Sequence, residues 1–300
     1  MPASYNKVEG EGVDALLGVV QRLLENRDRW RAEATQRGLL RTPKPAHIPA
    51  FLAVDGAVAE EPTLGLRLYS ACAYGITPEG EKVAVFDRES VAPSKKIRAR
   101  MIALELALLS QLLEEYPQTF ALADGSRISH LSALSGAGIR VENWPGSLPP
   151  ASWGKDVAQS LRFAITNPRV VFVPKEESGP VQTRGVMGLL LEPGELYGPR
   201  PVKADLHLGS ERYANRVLRW YYALPSRNVV KLETLEDHPP IEILATIGAR
   251  SGYKGTPSPL ALVDKLAKKG ASLGLKVVRK HLLWKLPPEA LMPLMGPYRS

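Results

Sequence analysis

Apolar residues recur at helical spacing near the start of the chain. Between residues 13 and 36 they occur every three or four positions, and charged residues then dominate the end of the segment, which predicts an amphipathic helix. Gly38, Pro43 and Pro45 end the pattern. A helix with one apolar side packs either on the core of its own chain or on a second subunit, and the sequence leaves both alternatives open.

Strand-like patterns follow this helix. Three apolar or alternating segments are separated by short links rich in turn residues, which predicts antiparallel hairpins. A helix that ends before Pro117 and a fourth strand come next. The predicted strands cover residues 48–58, 64–75, 82–86 and 119–123, and the helix covers residues 95–115.

The second half of the chain alternates helical and strand patterns with Gly- and Pro-rich stretches. A helix is predicted over residues 155–166, strands over 169–174 and 241–247, and a helix over 260–269. We expect an N-terminal helical arm over residues 1–44 that contacts a second subunit or another partner. A main domain would cover residues 45–290, with a hairpin or flap inserted near 176–210, and a short tail would cover residues 291–300.

Composition narrows the class of protein. The 300 residues are 44% hydrophobic and 23% charged, as in globular proteins, and the formal net charge of +8 favours a polyanionic partner such as nucleic acid. A single cysteine, Cys72, excludes an internal disulfide and is typical of the reducing cytoplasm. Because no apolar run approaches the roughly 18 residues of a membrane span, we expect a cytoplasmic protein without a membrane partner.

The apolar runs of two predicted strands end in the same pair of residues. Asp55-Gly56 follows the apolar run of the first strand, and Asp124-Gly125 follows that of the fourth. Each pair could simply open a turn. Alternatively, each buried strand delivers a carboxylate to the edge of the sheet as a metal ligand.

Glu105 lies within the predicted helix among apolar neighbours. An ionised carboxylate buried there without a partner would cost several kcal/mol. Either an arginine or lysine faces it, or it shares a metal ion with Asp55 and Asp124. A fourth acid, Asp264, follows on the last predicted helix, where neighbouring lysines offer a surface ion pair as the alternative to metal binding.

Carboxylates from separate segments favour hard divalent cations such as Mg²⁺ or Mn²⁺. Two such ions can activate a water molecule and stabilise the leaving oxygen of a phosphodiester. The chain has no Gly-x-x-x-x-Gly-Lys-Ser/Thr phosphate loop, no Cys-x-x-Cys pair and no His-Glu-x-x-His helix, and its five histidines are scattered. These absences argue against a nucleotide-binding phosphate loop and against zinc.

The order of strand-borne Asp, hairpins, helical Glu, strand-borne Asp and late helical acid resembles the ribonuclease H-like superfamily. Within it, Asp55-Gly56 and Asp124-Gly125-Ser126 resemble the NurA nucleases, and Glu105 is similar to their helical acid. The segment 252–260, with its Pro-x-Pro-Leu sequence, is similar to their closing motif. The resemblance implies an α/β fold with a mixed sheet flanked by helices, in which three antiparallel strands precede parallel ones.

The resemblance also implies a function. The chain would be a DNA nuclease with two Mn²⁺ or Mg²⁺ ions at Asp55, Glu105, Asp124 and Asp264. It would be a homodimer that acts with a hexameric HerA-type ATPase on single- or double-stranded DNA ends, in end resection and recombinational repair. Two departures matter: Ala57 stands where the family often has serine, and Asp264 stands where a histidine is expected.

Several basic and aromatic residues are candidates for contacts with DNA. These are Lys175, which resembles a basic residue after the fifth strand of the family, and Arg184, Lys203, Tyr253 and Lys254. Lys175 could equally be a solvated strand terminus. A non-catalytic DNA-binding subunit of a DNA-translocating motor is the alternative function, and an RNA-directed relative of the same superfamily is a third.

Overall fold

The computed structural model describes most of the chain outside its termini. The described residues are 14–15, 17–44, 51–62, 67–87, 91–136, 157–174, 183–202, 207–208, 211–212, 217–224, 228–235 and 256–285. Lys175, Lys203, Tyr253 and Lys254 lie outside these ranges, as do the predicted strand 241–247 and the tail 291–300.

The described structure contains twelve strands, ten of which form a central mixed sheet. The strands are β1 (Leu40–Arg41), β2 (Phe51–Pro62), β3 (Arg67–Ile76), β4 (Lys82–Phe86), β5 (Val91–Ala92), β6 (Phe120–Asp124), β7 (Val170–Val173), β8 (Leu196–Pro201), β9 (His207–Leu208), β10 (Glu211–Arg212), β11 (Val217–Ala223) and β12 (Val229–Leu235). Their order in the main sheet is β1-β8-β11-β12-β7-β6-β2-β3-β4, β5 pairs with β3, and β9 and β10 form a separate hairpin.

Strand directions confirm the predicted fold class. β2, β3 and β4 are antiparallel neighbours, whereas β6 runs parallel to β2 and β7 runs parallel to β6. The sheet then continues through β12, β11 and β8, each antiparallel to its neighbour. The chain therefore has an α/β fold in which three antiparallel strands precede parallel ones, with an antiparallel extension on the far side.

Helices cover both faces of the sheet. They are α1 (Arg27–Gln36), α2 (Ser94–Glu115), α3 (Arg127–Gly136), α4 (Val157–Thr166), α5 (Thr183–Leu190) and α6 (Ser258–Lys285). Residues alternate between faces along a strand, and Val54 and Ala123 belong to the core cluster of α2 and α4. Ala53 and Leu122 belong to the cluster of α6. No helix in the described part of the chain has the length and apolar character needed to cross a membrane.

Helix α6 lies close to β3 because glycines face the strand. A Cβ atom at Gly270 would lie 2.7 Å from the Tyr74 ring, and one at Gly274 would overlap the Ser70 side chain. The helix extends to Lys285, well beyond the predicted end at residue 269. The helical pattern after residue 269 is weak in the sequence. The outer side of the helix is rich in lysine, so its apolar stripe is narrow.

The segment near residues 176–210, for which the sequence analysis expects a hairpin or flap, has regular secondary structure in its described part. This part contains α5 and β8, and β8 is a strand of the main sheet. Apolar residues of α5 and β8 pack with Tyr221 and Val229 of the sheet, which gives the segment a buried side that a flap would lack. Its many glycines and prolines had suggested a loop.

The described part of the N-terminal arm packs on this same region. The ring of Trp30 on α1 packs against that of Tyr197 at a tilt of 49°, with ring centroids 5.0 Å apart. Arg31 forms an ion pair with Glu195 at 2.5 Å, and β1 pairs with β8. Of the two alternatives for this helix, packing on the chain's own core holds for residues 27–41, whereas Leu17, Val19 and Leu24 in the preceding helical residues are exposed.

Candidate metal centre

Three carboxylates from distant parts of the sequence meet at one edge of the sheet. Oxygen atoms of Asp55, Asp124 and Asp264 all lie within 4.8 Å of one another. Asp55 is buried, while Asp124 and Asp264 are half-buried. The cluster is thus reachable from solvent on one side and enclosed by protein on the other.

The strand register explains why Asp55 and Asp124 are neighbours. β2 and β6 are parallel, with Val54 opposite Ala123. The next residue on each strand is an aspartate, so the two side chains leave the sheet side by side at its carboxyl edge. The Asp-Gly pairs therefore do more than open turns. At Asp55-Gly56 there is no turn, because β2 continues through this pair to Pro62.

Helix α6 brings the third carboxylate to this edge. Leu260 and Val263 pack on the sheet, and Ala267 packs near Cys72, which fixes the rotation of the helix and points Asp264 toward the two strand ends. Lys268 donates a hydrogen bond to Asp264 at 2.8 Å. Both sequence-based alternatives are therefore present together, since Asp264 is in a surface ion pair and in the carboxylate cluster.

Glu105 lies on α2 next to the backbone of β2. It is 1% exposed. A Cβ atom at Gly56 would lie 3.2 Å from its Oε2 atom and 3.1 Å from Cγ of Met101. Glycine after Asp55 thus leaves the space in which the Glu105 carboxylate lies, beside but not within the three-aspartate cluster.

His130 on α3 faces Glu105 and was not foreseen from the sequence. Its Nε2 atom lies 3.5 Å from Oε1 of Glu105, and its ring packs edge-on against Phe172, with centroids 5.5 Å apart. A Cβ atom at Gly125 would lie 2.5 Å from the His130 ring. Gly125, whose φ of +82° also favours glycine, therefore lets the imidazole lie against the strand end.

The imidazole of His130 is neutral at neutral pH. Burial lowers its pKa from 6.5 to about 4, and the nearby Asp124 carboxylate offsets this only in part. His130 faces Glu105 in addition to whichever cation the sequence analysis left open there, an arginine or lysine or a shared metal ion. A neutral imidazole leaves the negative charge of the carboxylates available to a cation.

A second residue that the sequence did not single out, Glu233, supports the turn after Asp124. This fully buried side chain of β12 accepts hydrogen bonds from Ser126 Oγ at 2.8 Å and from the Arg127 backbone N–H at 3.1 Å. It also accepts one from Arg219 at 2.8 Å. The only sequence signal was a glutamate in the segment 229–235, where four of the other six residues are Val or Leu.

The donor set fits a hard divalent cation. Three carboxylates supply oxygen ligands and enough negative charge for Mg²⁺ or Mn²⁺, and the described residues contain no other group of three potential ligands this close together. Of the predicted DNA contacts, Arg184 lies on α5, and the others lie outside the described residues.

Solved structures share this architecture. The NurA nuclease from Sulfolobus solfataricus matches with a TM-score of 0.61 and 15% identity, over 96% of this chain and 99% of that chain. The chain has the fold of the NurA nucleases. A NurA structure with manganese matches with a TM-score of 0.56 at 12% identity, covering 94% and 100% of the two chains.

A third NurA structure, bound to dAMP and manganese, matches with a TM-score of 0.54 at 11% identity, over 92% of this chain and 98% of that chain. No protein-family model and no curated protein sequence matches the chain. The NurA fold is thus evident from the structure, at sequence identities of 11% to 15%.

Proposed function

We propose that the chain is a divalent-metal-dependent DNA nuclease that hydrolyses phosphodiester bonds, as an exonuclease, an endonuclease or both. The observation that carries this proposal is the convergence of Asp55, Asp124 and Asp264 within 4.8 Å at the carboxyl edge of the sheet. The cluster supplies the negative charge that a metal site requires. The net charge of +8 on the chain supplies the positive charge that attracts DNA.

The three aspartates would hold Mn²⁺ or Mg²⁺, and two ions per site are proposed, with Glu105 contributing from α2. Bound ions would lower the pKa of a water molecule and stabilise the leaving oxygen. Glu105 is kept in place by its packing beside Gly56 and His130. Glu233 holds the turn after Asp124 by accepting two hydrogen bonds from it.

The similar structures support this chemistry. One NurA structure contains manganese, and another contains dAMP together with manganese. In this chain, Asp55 within β2 and Asp124 at the end of β6 would offer oxygen ligands suited to the same metal. A DNA strand is therefore proposed as substrate, with Lys175, Arg184, Lys203, Tyr253 and Lys254 as contacts.

The resemblance to NurA nucleases also supports the proposed biological setting. The chain would act in the cytoplasm with a HerA-type hexameric ATPase, in DNA end resection and recombinational repair. A homodimer is proposed, supported by the exposed apolar side chains of Leu17, Val19 and Leu24.

The experiment that tests the activity compares the wild type with Asp55→Asn. Labelled single- and double-stranded DNA is incubated with Mn²⁺, with and without a HerA-type ATPase. We expect cleavage by the wild type, none after chelation, and none by Asp55→Asn. The exposed Asp28 of α1 gives the matched control Asp28→Asn, which should cleave normally. If the wild type leaves both DNAs intact while Mn²⁺ does not raise its melting temperature, the non-catalytic DNA-binding alternative replaces the nuclease.

A further inference from the structure

A buried carboxylate and a buried imidazole meet on the side of the sheet opposite the three aspartates. Asp55 and Asp124 alternate with core residues of β2 and β6 in such a way that their side chains leave the sheet on the α6 face. Glu105 and His130 approach from α2 and α3, which pack on the other face. The aspartate cluster therefore does not account for this pair.

The imidazole of His130 has a nitrogen without a hydrogen-bond partner. The residue is 6% exposed, and its Nε2 atom is buried and makes no hydrogen bond within the described part of the chain. The facing oxygen, Oε1 of Glu105, is 3.5 Å away, which is longer than the N–H···O distance of about 2.7–3.2 Å in proteins. Because an unpartnered polar atom at this depth is costly, a partner for Nε2 is expected.

The proton of the neutral ring lies on the other nitrogen. Burial lowers the pKa of His130 to about 4, although a hydrogen bond with the Ser126 backbone raises it. A backbone group raises the pKa of a histidine when its carbonyl oxygen accepts the ring proton, and since Nε2 makes no hydrogen bond, the donor is Nδ1. The Nε2 lone pair and the Glu105 carboxylate are then two acceptors that face each other, and they repel each other unless a cation lies between them.

Charges near the ring also favour a cation. Burial is the main cause of the low pKa of His130, but the carboxylates of Asp124 and Glu233 act to raise this pKa, while the exposed Arg98 of α2 acts to lower it. Glu105 adds a third carboxylate next to the ring. Among the described residues, three carboxylates against one guanidinium group leave the surroundings of Nε2 negative.

The distance between the two facing atoms fits binding to one ion. Two ligand atoms about 2.1 Å from the same ion lie roughly 3 to 3.5 Å apart at the angles of octahedral and tetrahedral sites, and Nε2 and Oε1 are 3.5 Å apart. The edge-on packing of the His130 ring against Phe172 fixes its orientation. The unprotonated nitrogen of a neutral imidazole is the form that binds metals.

We propose that Oε1 of Glu105 and Nε2 of His130 together bind one divalent cation, at a position separate from the three-aspartate cluster. The proposal rests on the proposed two-ion nuclease and assigns protein ligands to its second ion. Imidazole nitrogen favours transition metals over Mg²⁺, whereas carboxylate oxygens accept both. This second position should therefore select Mn²⁺.

The test measures nitrogen coordination on the Mn²⁺-loaded protein. Pulsed electron paramagnetic resonance detects hyperfine coupling between Mn²⁺ and a bound nitrogen, and isotope-labelled histidine identifies that nitrogen as imidazole. We expect the coupling in the wild type and in His281→Gln, the matched control at an exposed position of α6. It should be absent from His130→Gln, in which a Mn²⁺ titration should show the binding of one ion weakened about tenfold or more.

A second variant covers the case in which His130→Gln does not fold. Glu105→Gln replaces the carboxylate with an amide of similar size and keeps the imidazole, so the nitrogen coupling should be lost although His130 is present. Thermal melting without metal shows whether each variant is folded.

Bound Mn²⁺ without nitrogen coupling in the wild type would overturn the proposal, and so would coupling that persists in folded His130→Gln. Failure of the nuclease gives a different result. A wild type that shows the coupling but never cleaves DNA loses the proposed function and keeps His130 as a ligand. A wild type that cleaves DNA with Mn²⁺ and shows no coupling keeps the function and loses this ligand.

Discussion

His130 Nε2 lies 3.5 Å from Glu105 Oε1, so a buried imidazole from α3 faces a buried carboxylate from α2. The two residues are 25 positions apart in the sequence. The contact exists because Gly56 within β2 and Gly125 after β6 leave room for the two side chains. Helix α3, which carries no predicted motif, thereby packs against a predicted site residue of α2.

His130 makes the stability of the metal-free protein depend on pH. Its pKa is about 4 in the folded chain and 6.5 ordinarily, so between these values the unfolded chain binds a proton that the folded chain does not. This contribution to the free energy of unfolding is fully present above pH 6.5 and is lost as the pH falls toward 4. The expected contribution is about 3 kcal/mol, at about 1.4 kcal/mol per pKa unit.

Urea unfolding in EDTA at pH 4.5 and 7 measures this effect. His130→Gln should lose less stability than the wild type between the two pH values, whereas His281→Gln, at an exposed position of α6, should lose as much as the wild type. Equal losses for all three proteins would show that His130 titrates normally.

Gly56→Ala should impair cleavage more than folding. The new Cβ atom would lie 3.1 Å from Met101 Cγ and 3.2 Å from Glu105 Oε2, which displaces both side chains. We expect a loss of stability of about 1 kcal/mol and a loss of cleavage rate of about ten- to hundredfold, measured by denaturation and by single-turnover cleavage.

Gly18 gives a matched control, since a Cβ atom there meets nothing within 4 Å. Gly18→Ala should leave cleavage unchanged and stabilise the helix slightly. Full activity of Gly56→Ala would mean that the position of Glu105 has no effect on the chemistry.

Asp264 offers a test of metal preference. Asp264→Asn removes one negative ligand and should weaken Mn²⁺ binding about tenfold or more, measured by the metal-induced rise in melting temperature. Asp264→His introduces the residue expected from the resemblance to NurA nucleases. Because imidazole nitrogen disfavours Mg²⁺ relative to transition metals, this variant should retain Mn²⁺-supported cleavage and lose more of its Mg²⁺-supported cleavage. An unchanged ratio of the two activities would place Asp264 outside the ligand set.

Cys72 reports on the packing of α6 against β3. Its Sγ atom lies 3.0 Å from the Ala267 carbonyl oxygen, and burial raises the pKa of the thiol to about 12. The native protein should therefore resist maleimide labelling, and the labelling rate should follow the unfolding rate. Rapid labelling of the native protein would contradict the packing that positions Asp264.

The strand positions of Asp55 and Asp124 could be predicted because each depends on a local pattern, although β2 continues past Asp55 to Pro62. An apolar run that ends in Asp-Gly indicates both a buried strand and a carboxylate at its end, and parallel strands bring such ends together. Asp55 and Asp124 were found in this way. Asp264 was found through a resemblance, since its lysine neighbours alone indicated a surface ion pair.

Three features could not be predicted because each depends on which elements become neighbours in the fold. They are the contacts of Glu233, the contacts of His130 and the position of β8 in the sheet. Ser126 and Glu233 are separated by 107 residues, and no periodicity links them. A lone glutamate in an apolar strand shows only that some donor must face it. Similarly, the Gly- and Pro-rich segment around β8 looks like a loop until its pairing with β11 is known.

The most direct test of the metal centre is the anomalous diffraction of a crystal soaked in Mn²⁺. The account predicts a manganese peak within about 2.0–2.6 Å of carboxylate oxygens of Asp55 and Asp124, with Asp264 beside it, and no peak there in Asp124→Asn. A soaked crystal with no manganese at these aspartates, or with manganese held only by other residues, would contradict it.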